Sequence, residues 1–283
     1  MRVDELLRGG TTHSFEFFPP KSDEESVVLA RTLHDLEPLH PSFVSVTYRG
    51  GRESRQRTFD LVTQIEREGQ LTAMAHLICV GHSRAEMRDI LKNYLDAGVT
   101  NVMALGGDIP KDDALASSEF EHAMDLVELA RETGDFSIGV AAHPQGHPRS
   151  EDLATDRYFL AKKLELADFA VTQFFFEAHE WTDLVADLSE RGLTKPVLPG
   201  IMPVTTLGGI SHMATMGARV PDELAERLES AHVQGGPRAV RAEGIRAAVE
   251  LCEQVLDAGA PGLHFYTLNR STATREIYSS LTH

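Results

Sequence analysis

Two rhythms of apolar and polar positions take turns along this chain. Short runs rich in β-branched and aromatic residues switch face at every residue, and each is followed by a longer stretch with apolar positions three or four apart. The first short run, residues 12–18, is stopped by Pro19 and Pro20, which cannot donate to a strand ladder. Residues 23–36 then read as a helix, with Ser22 as N-cap, acids in the first turn and Pro38 just past the end. Further strands are expected at 43–48, 71–80, 102–105, 137–142, 169–176, 196–201 and 262–266. Helices are expected between them at 54–68, 83–97, 118–133, 153–166 and 181–191. The stretch 206–258 is helical in pattern but punctuated at Gly217, Pro221 and Gly235-Gly236-Pro237, so it reads as two or three helices.

Eight strand signals separated by helices predict an α/β fold, a (β/α)8 TIM barrel formed as a single catalytic domain over residues 1–283. A doubly wound open sheet is the competitor. Its GxGxxG fingerprint follows no strand here, and Gly106-Gly107-Asp108 is too short to serve.

Composition narrows the partners more than the fold. Hydrophobic residues make up 42% and charged residues 25%, the balance of a folded soluble protein. Lysine and arginine number 27 against 43 acids, a net charge of −16, which disfavours nucleic acid and anionic membranes. No apolar run approaches the roughly 20 residues that span a bilayer. Two cysteines, Cys79 and Cys252, in apolar contexts suit a reducing cytoplasm rather than a disulfide scaffold. A homo-oligomer is compatible with this surface.

In a TIM barrel the chemistry sits at the C-terminal ends of the strands, so the polar residues that fall there are the candidates. Glu16 is the oddest, a carboxylate among Phe15, Phe17 and Phe18. Alternation puts Ser14, Glu16 and Phe18 on one face and Phe15 and Phe17 on the other. Glu16 faces either water or a cavity; in a cavity the desolvated carboxylate should have a raised pKa and act as a proton donor. The other strand ends supply Thr47, His76, Gly107 and Asp108, His143 with His147, Gln173, and Tyr266 with Asn269 and Arg270. Each also has a plain structural reading: His76 as a hydrogen-bonded core histidine, Gln173 as a buried amide, Asp108 as a turn residue. Asp156 and Lys163, seven apart on one helix face, read either as a surface charge pair or as contacts to a phosphate-bearing cofactor. No metal site is expected, since HExxH, CxxC and HxH on the first strand are all absent, and without GxSxG there is no serine elbow.

Eight segments together resemble the 5,10-methylenetetrahydrofolate reductase family: SFEFFPP at 14–20, FVSVTY at 43–48, AHL at 75–77, GD at 107–108, VAAHPQGHP at 140–148, TQFFF at 172–176, PGIMP at 199–203 and HFYTLNR at 264–270. The resemblance runs in register from about residue 13 to 275. It implies an oxidoreductase in which NADH or NADPH reduces FAD and the flavin passes hydride to methylenetetrahydrofolate, giving 5-methyltetrahydrofolate. It makes Glu16 the proton donor. It makes Asp108, Gln173, Tyr266 and Arg270 substrate contacts, and Thr47, His76, Gly107, Asp108, His143, His147, Asp156 and Lys163 cofactor contacts. The chain departs from the family pattern on the flavin side. Gly106 stands where an arginine is usual, His143 where an aromatic is usual, Phe159 at a common asparagine, Lys162 at a common arginine and Leu207 at a common phenylalanine. Two alternatives follow: a flavin-independent reductase with direct hydride transfer, or a pterin-binding barrel that needs a partner subunit for electrons.

Overall fold

The alternation closes on itself. In the computed structural model, which describes residues 1–48, 52–107, 118–270 and 272–281, eight strands lie parallel in sequence order. They are β1 (Thr12–Phe17), β2 (Phe43–Val46), β3 (Ala73–Ile78), β4 (Asn101–Leu105), β5 (Ser137–Ala142), β6 (Phe169–Phe174), β7 (Val197–Ile201) and β8 (Gly262–Tyr266). The last pairs back onto the first, so the ring has no free edge. Closure gives every strand an outer and an inner face. Outward residues such as Phe15, Phe17, Val44, Val46, Ala75, Leu77 and Phe265 join one large apolar cluster with the surrounding helices.

The inner face changes character along the barrel axis. At the N-terminal end Phe43, Met74, Met103, Phe169, Val171 and Leu198 pack into a second cluster. Val3 and Leu7 of a short helix, α1 (Val3–Gly9), close it from below. That helix is fastened to strand starts: the Val3 N–H donates to Asn101 Oδ1 at 2.8 Å and the Asp4 N–H to Ser137 Oγ at 3.0 Å. Asn101 in turn donates to the carbonyls of Met1 and Ala73. Toward the C-terminal end the inward residues become Glu16, Ser45, Thr47, His76, His264 and Tyr266. One apolar layer therefore floors one polar layer.

The helices follow the expected order: α2 (Asp23–Leu36), α3 (Arg52–Glu68), α4 (Arg84–Asp96), α5 (Ala123–Thr133), α6 (Leu153–Leu166), α7 (Ala178–Glu190), α8 (Leu207–Thr215), α9 (Asp222–Asp257) and α10 (Thr272–Leu281). Ser22 caps α2 by accepting from the Glu25 N–H. Ser22→Ala is expected to cost about 1 kcal/mol of stability, seen in the denaturation midpoint, with catalysis unchanged. The 206–258 stretch is interrupted after α8, and α9 contains a second break at Gly236, whose φ of 65° is non-helical. Pro237 follows that break, where its missing N–H is harmless.

Several boundaries differ from expectation. β2, β3 and β6 end at Val46, Ile78 and Phe174, earlier than the apolar runs at 43–48, 71–80 and 169–176, although Cys79 and Phe175 beyond those ends stay buried in the apolar cluster against the helices. α5 begins at Ala123, not 118, and α7 at Ala178, not 181. α1 and α10 were not expected.

Candidate active site

Glu16 occupies the centre of the polar layer. Register places it beside Ser45 on β2 and Tyr266 on β8. Its Oε2 lies 3.5 Å from His76 Nε2 and 3.6 Å from His264 Nε2. The carboxyl side chain is only 12% exposed, so it faces the barrel interior rather than bulk water. Burial is the main influence lowering the His76 pKa; the opposing pull of Glu16 is smaller, so this imidazole stays neutral at pH 7. Burial, and then the charge of Glu16, push the Tyr266 phenol well above its usual range, and its O–H donates to the Thr172 carbonyl at 2.7 Å.

Four buried polar atoms in this layer have no hydrogen-bond partner: Ser45 Oγ, Thr47 Oγ1, His76 Nε2 and His264 Nε2. Leaving a buried donor or acceptor unmade costs about 1–3 kcal/mol each, and a cluster of them in one chamber is what a polar ligand would satisfy. Among the described residues no three His, Cys, Asp or Glu side chains are grouped as a metal site.

The rim beside Glu16 is held by the turn after β8. Asn269 grips Phe18 by both backbone groups, accepting from its N–H at 2.8 Å and donating to its carbonyl at 2.9 Å. Thr267 Oγ1 donates to the Glu16 carbonyl at 2.6 Å. The turn adopts two consecutive left-handed residues, Leu268 (φ 50°) and Asn269 (φ 58°). Such backbone is sparsely populated for a leucine and persists where surrounding bonds impose it. The turn delivers Arg270 to the edge of a cavity of about 570 Å³ lined also by Phe18, Lys21, Arg57 and Asn269.

Gln173 follows Thr172, the residue whose carbonyl accepts from Tyr266. Its amide donates to the Met216 carbonyl and its Oε1 accepts from the Phe174 N–H, so the backbone engages both ends. Asp108 lies outside the described residues. Ser14 and His264 were given no role on sequence grounds, although alternation with Glu16 and Tyr266 put both on the inner face.

Comparison with known proteins decides the family. A family model described as methylenetetrahydrofolate reductase matches residues 2–282. The chain belongs to the methylenetetrahydrofolate reductase family. It is 32% identical over 277 residues to the 5,10-methylenetetrahydrofolate reductase of Pectobacterium carotovorum, covering 97% of this chain and 91% of that protein. The relative from Escherichia coli is 31% identical with similar coverage, 97% and 92%. An Arabidopsis thaliana protein named methylenetetrahydrofolate reductase (NADH) 1 is 34% identical, and the match takes in 47% of its length. In fold, the chain resembles a Clostridium thermocellum protein that binds two copies of 5-methyl-5,6,7,8-tetrahydrofolic acid, with TM-score 0.68, 10% identity and coverage of 98% and 96%.

Within this methylenetetrahydrofolate reductase chain, the cofactor-matched positions beyond β5 are engaged by the protein itself. Lys163 Nζ donates to the Ala141 carbonyl at 3.0 Å, and burial lowers its pKa. Asp156 Oδ1 accepts from Ser150 Oγ, and Lys162 is ion-paired to Glu165 at 2.7 Å. Phe159 has no polar side-chain atom and is about half exposed. His143 packs edge-on to His147, 4.6 Å between centroids, and its pKa is pushed down to about 3, by burial first and then by His147 and Lys163. His147 Nδ1 accepts from the Arg149 N–H. Gly107 has φ 90°, and an added Cβ would meet Ile78 and Val80. At Gly106, by contrast, an added Cβ would meet only Ala123 N at 3.8 Å, so crowding does not explain the missing arginine. A flavin diphosphate needs converging donors. The α6 positions direct theirs elsewhere and do not fit one.

Proposed function

We propose that this chain reduces 5,10-methylenetetrahydrofolate to 5-methyltetrahydrofolate, with NADH or NADPH as hydride source and Glu16 as proton donor. The single observation carrying the reading is a carboxyl group held inside the barrel, against two buried imidazoles and two unpartnered hydroxyls, in a chain of this family. Protonation of a nitrogen of the substrate's five-membered ring by Glu16 breaks its bond to the bridging methylene carbon. An iminium forms at the other nitrogen. Hydride adds to the iminium carbon and completes the methyl group. Ser45 and Thr47 offer hydroxyls to the polar edge of the pterin. Tyr266 walls the chamber beside His264, edge-on to its ring. Arg270 suits the substrate's glutamate carboxylate, since a guanidinium binds carboxylates through two parallel N–H bonds. Asp108 and Gln173 are proposed as pterin contacts on resemblance alone, and His76 and His147 as cofactor contacts on the same ground.

The family resemblance also implied FAD. Support for the alternative, direct transfer from the nicotinamide, comes from α6, where Lys162, Lys163 and Asp156 are occupied and Phe159 offers nothing polar. The test is the visible spectrum of the purified protein together with nicotinamide oxidation by the lone chain. A colourless protein whose folate-dependent NAD(P)H oxidation is unchanged by added FAD is the expected result. A yellow protein with absorption near 450 nm, or activity that requires FAD, would restore the flavin route, and activity only with a second polypeptide would favour the subunit reading.

A further inference from the structure

His264 carries no role in the chemistry above, yet it is fully buried and its Nε2 faces the proton donor. Its ring is fixed between Phe43, stacked at 6.1 Å, and Tyr266, edge-on at 5.4 Å. On the far side, Nδ1 lies 2.8 Å from Ser14 Oγ. That hydroxyl is also 3.3 Å from the Leu263 carbonyl, to which it donates. A hydroxyl has one proton. The arrangement that keeps both contacts as hydrogen bonds puts that proton on Leu263 and has the Ser14 oxygen accept from His264 Nδ1–H. A neutral imidazole has one N–H, so Nε2 is left as a bare lone pair pointing at Glu16 Oε2, with no other partner. Two acceptors facing each other repel, whereas a carboxylic O–H facing the same lone pair is attracted.

We infer that Ser14 and His264 are positioning residues that hold Glu16 in its proton-bearing form, Ser14 by fixing the His264 tautomer and His264 by accepting from the carboxyl O–H. The inference rests on Glu16 being the donor. The other groups around the carboxyl are compatible with it. His76, from β3, can donate Nε2–H to Oε2, which as a hydroxyl oxygen accepts one bond while giving one. The Tyr266 O–H, from β8, is turned to Thr172. β2 contributes only the uncharged Ser45 and Thr47. The 3.6 Å separation is long for a hydrogen bond; catalytic contacts of this kind tighten when substrate fills the chamber.

Two measurements test this. Nitrogen NMR of 15N-histidine-labelled protein, with His264→Gln identifying the signals of that residue among the 13 histidines, reads the tautomer directly. Protonated Nδ1 with bare Nε2 is expected, and a protonated Nε2 in the resting protein would overturn the inference. Ser14→Ala removes the fixing acceptor, so His264 can turn Nε2–H toward Glu16 and favour the carboxylate. The pH above which kcat falls should then drop by about one unit, a tenfold change in the balance of the two forms, with KM for the folate unchanged. If the profile stays put while Glu16→Gln abolishes turnover, Ser14 and His264 have no such role and Glu16 remains the donor. If Glu16→Gln is itself fully active, the donor reading fails and this inference fails with it.

Discussion

Glu16→Gln is expected to lower methylenetetrahydrofolate reduction by about 10²- to 10⁴-fold, the range that a positioned general acid contributes. The amide matches the carboxyl in size and keeps contacts with His76 and His264, so the chamber should survive and KM for the folate should change little. What the amide lacks is a proton it can release, and the ring nitrogen then has to be protonated by water. Stopped-flow or steady-state rates with saturating folate measure this directly. A loss below about tenfold, or one carried mainly by KM, would show that Glu16 binds rather than donates.

Gly200→Ala should be severely damaging, because its methyl meets strand backbone on one side and the wall of the Glu16 chamber on the other. Gly200 lies in β7 with its N–H donating to Thr172 Oγ1 at 2.8 Å, and an added Cβ would sit 2.6 Å from Tyr266 Cε2 and closer still to the Thr172 carbonyl. A flexible side chain can give way; a strand carbonyl in a closed ring cannot. Overpacking costs about 1–3 kcal/mol where neighbours can adjust, and here the upper end or more is expected, read as a lowered denaturation midpoint. The same methyl pushes on the ring that walls the Glu16 chamber, so the folded fraction should also show a reduced kcat. A variant with wild-type midpoint and rate would mean that β6 and β7 can separate locally, at variance with the register between Phe174 and Gly200.

The barrel was legible because its signal is repeated: eight β-rich runs separated by amphipathic stretches leave few topologies open. What escaped were α1 and α10. Seven residues at the start of the chain give too few turns for a helical period, yet tertiary bonds from Asn101 and Ser137 hold them in place. The ends of β2, β3 and β6 were overrun because Thr47 and Tyr48, Cys79 and Val80, and Phe175 and Phe176 have strand composition, whatever their position at the rim.

The site was legible in part for a different reason. Glu16 drew notice as a charge in an aromatic run, but alternation left it facing either water or a cavity, and only the closed barrel shows it turned to the interior. His264 and Ser14 drew none, since a histidine and a serine are unremarkable in a strand until a hydrogen bond spanning 250 positions joins them. Lys163 on α6 and Gln173 at the end of β6 show the converse: both are polar residues of the expected type, and each gives a bond to a backbone carbonyl, of Ala141 and Met216. Sequence supplies the inventory of donors, and only packing says where each is aimed.

The apolar floor made by Val3, Leu7 and the lower barrel layer has a kinetic consequence. With that end filled, everything that reacts at Glu16 enters by one doorway, at the C-terminal rim of the strands. A ping-pong enzyme tolerates that traffic by parking the hydride on a resident carrier while one visitor leaves and the next arrives. With direct transfer the two visitors must overlap in the doorway, so the deeper one enters first and departs last, and initial-rate lines should intersect rather than run parallel.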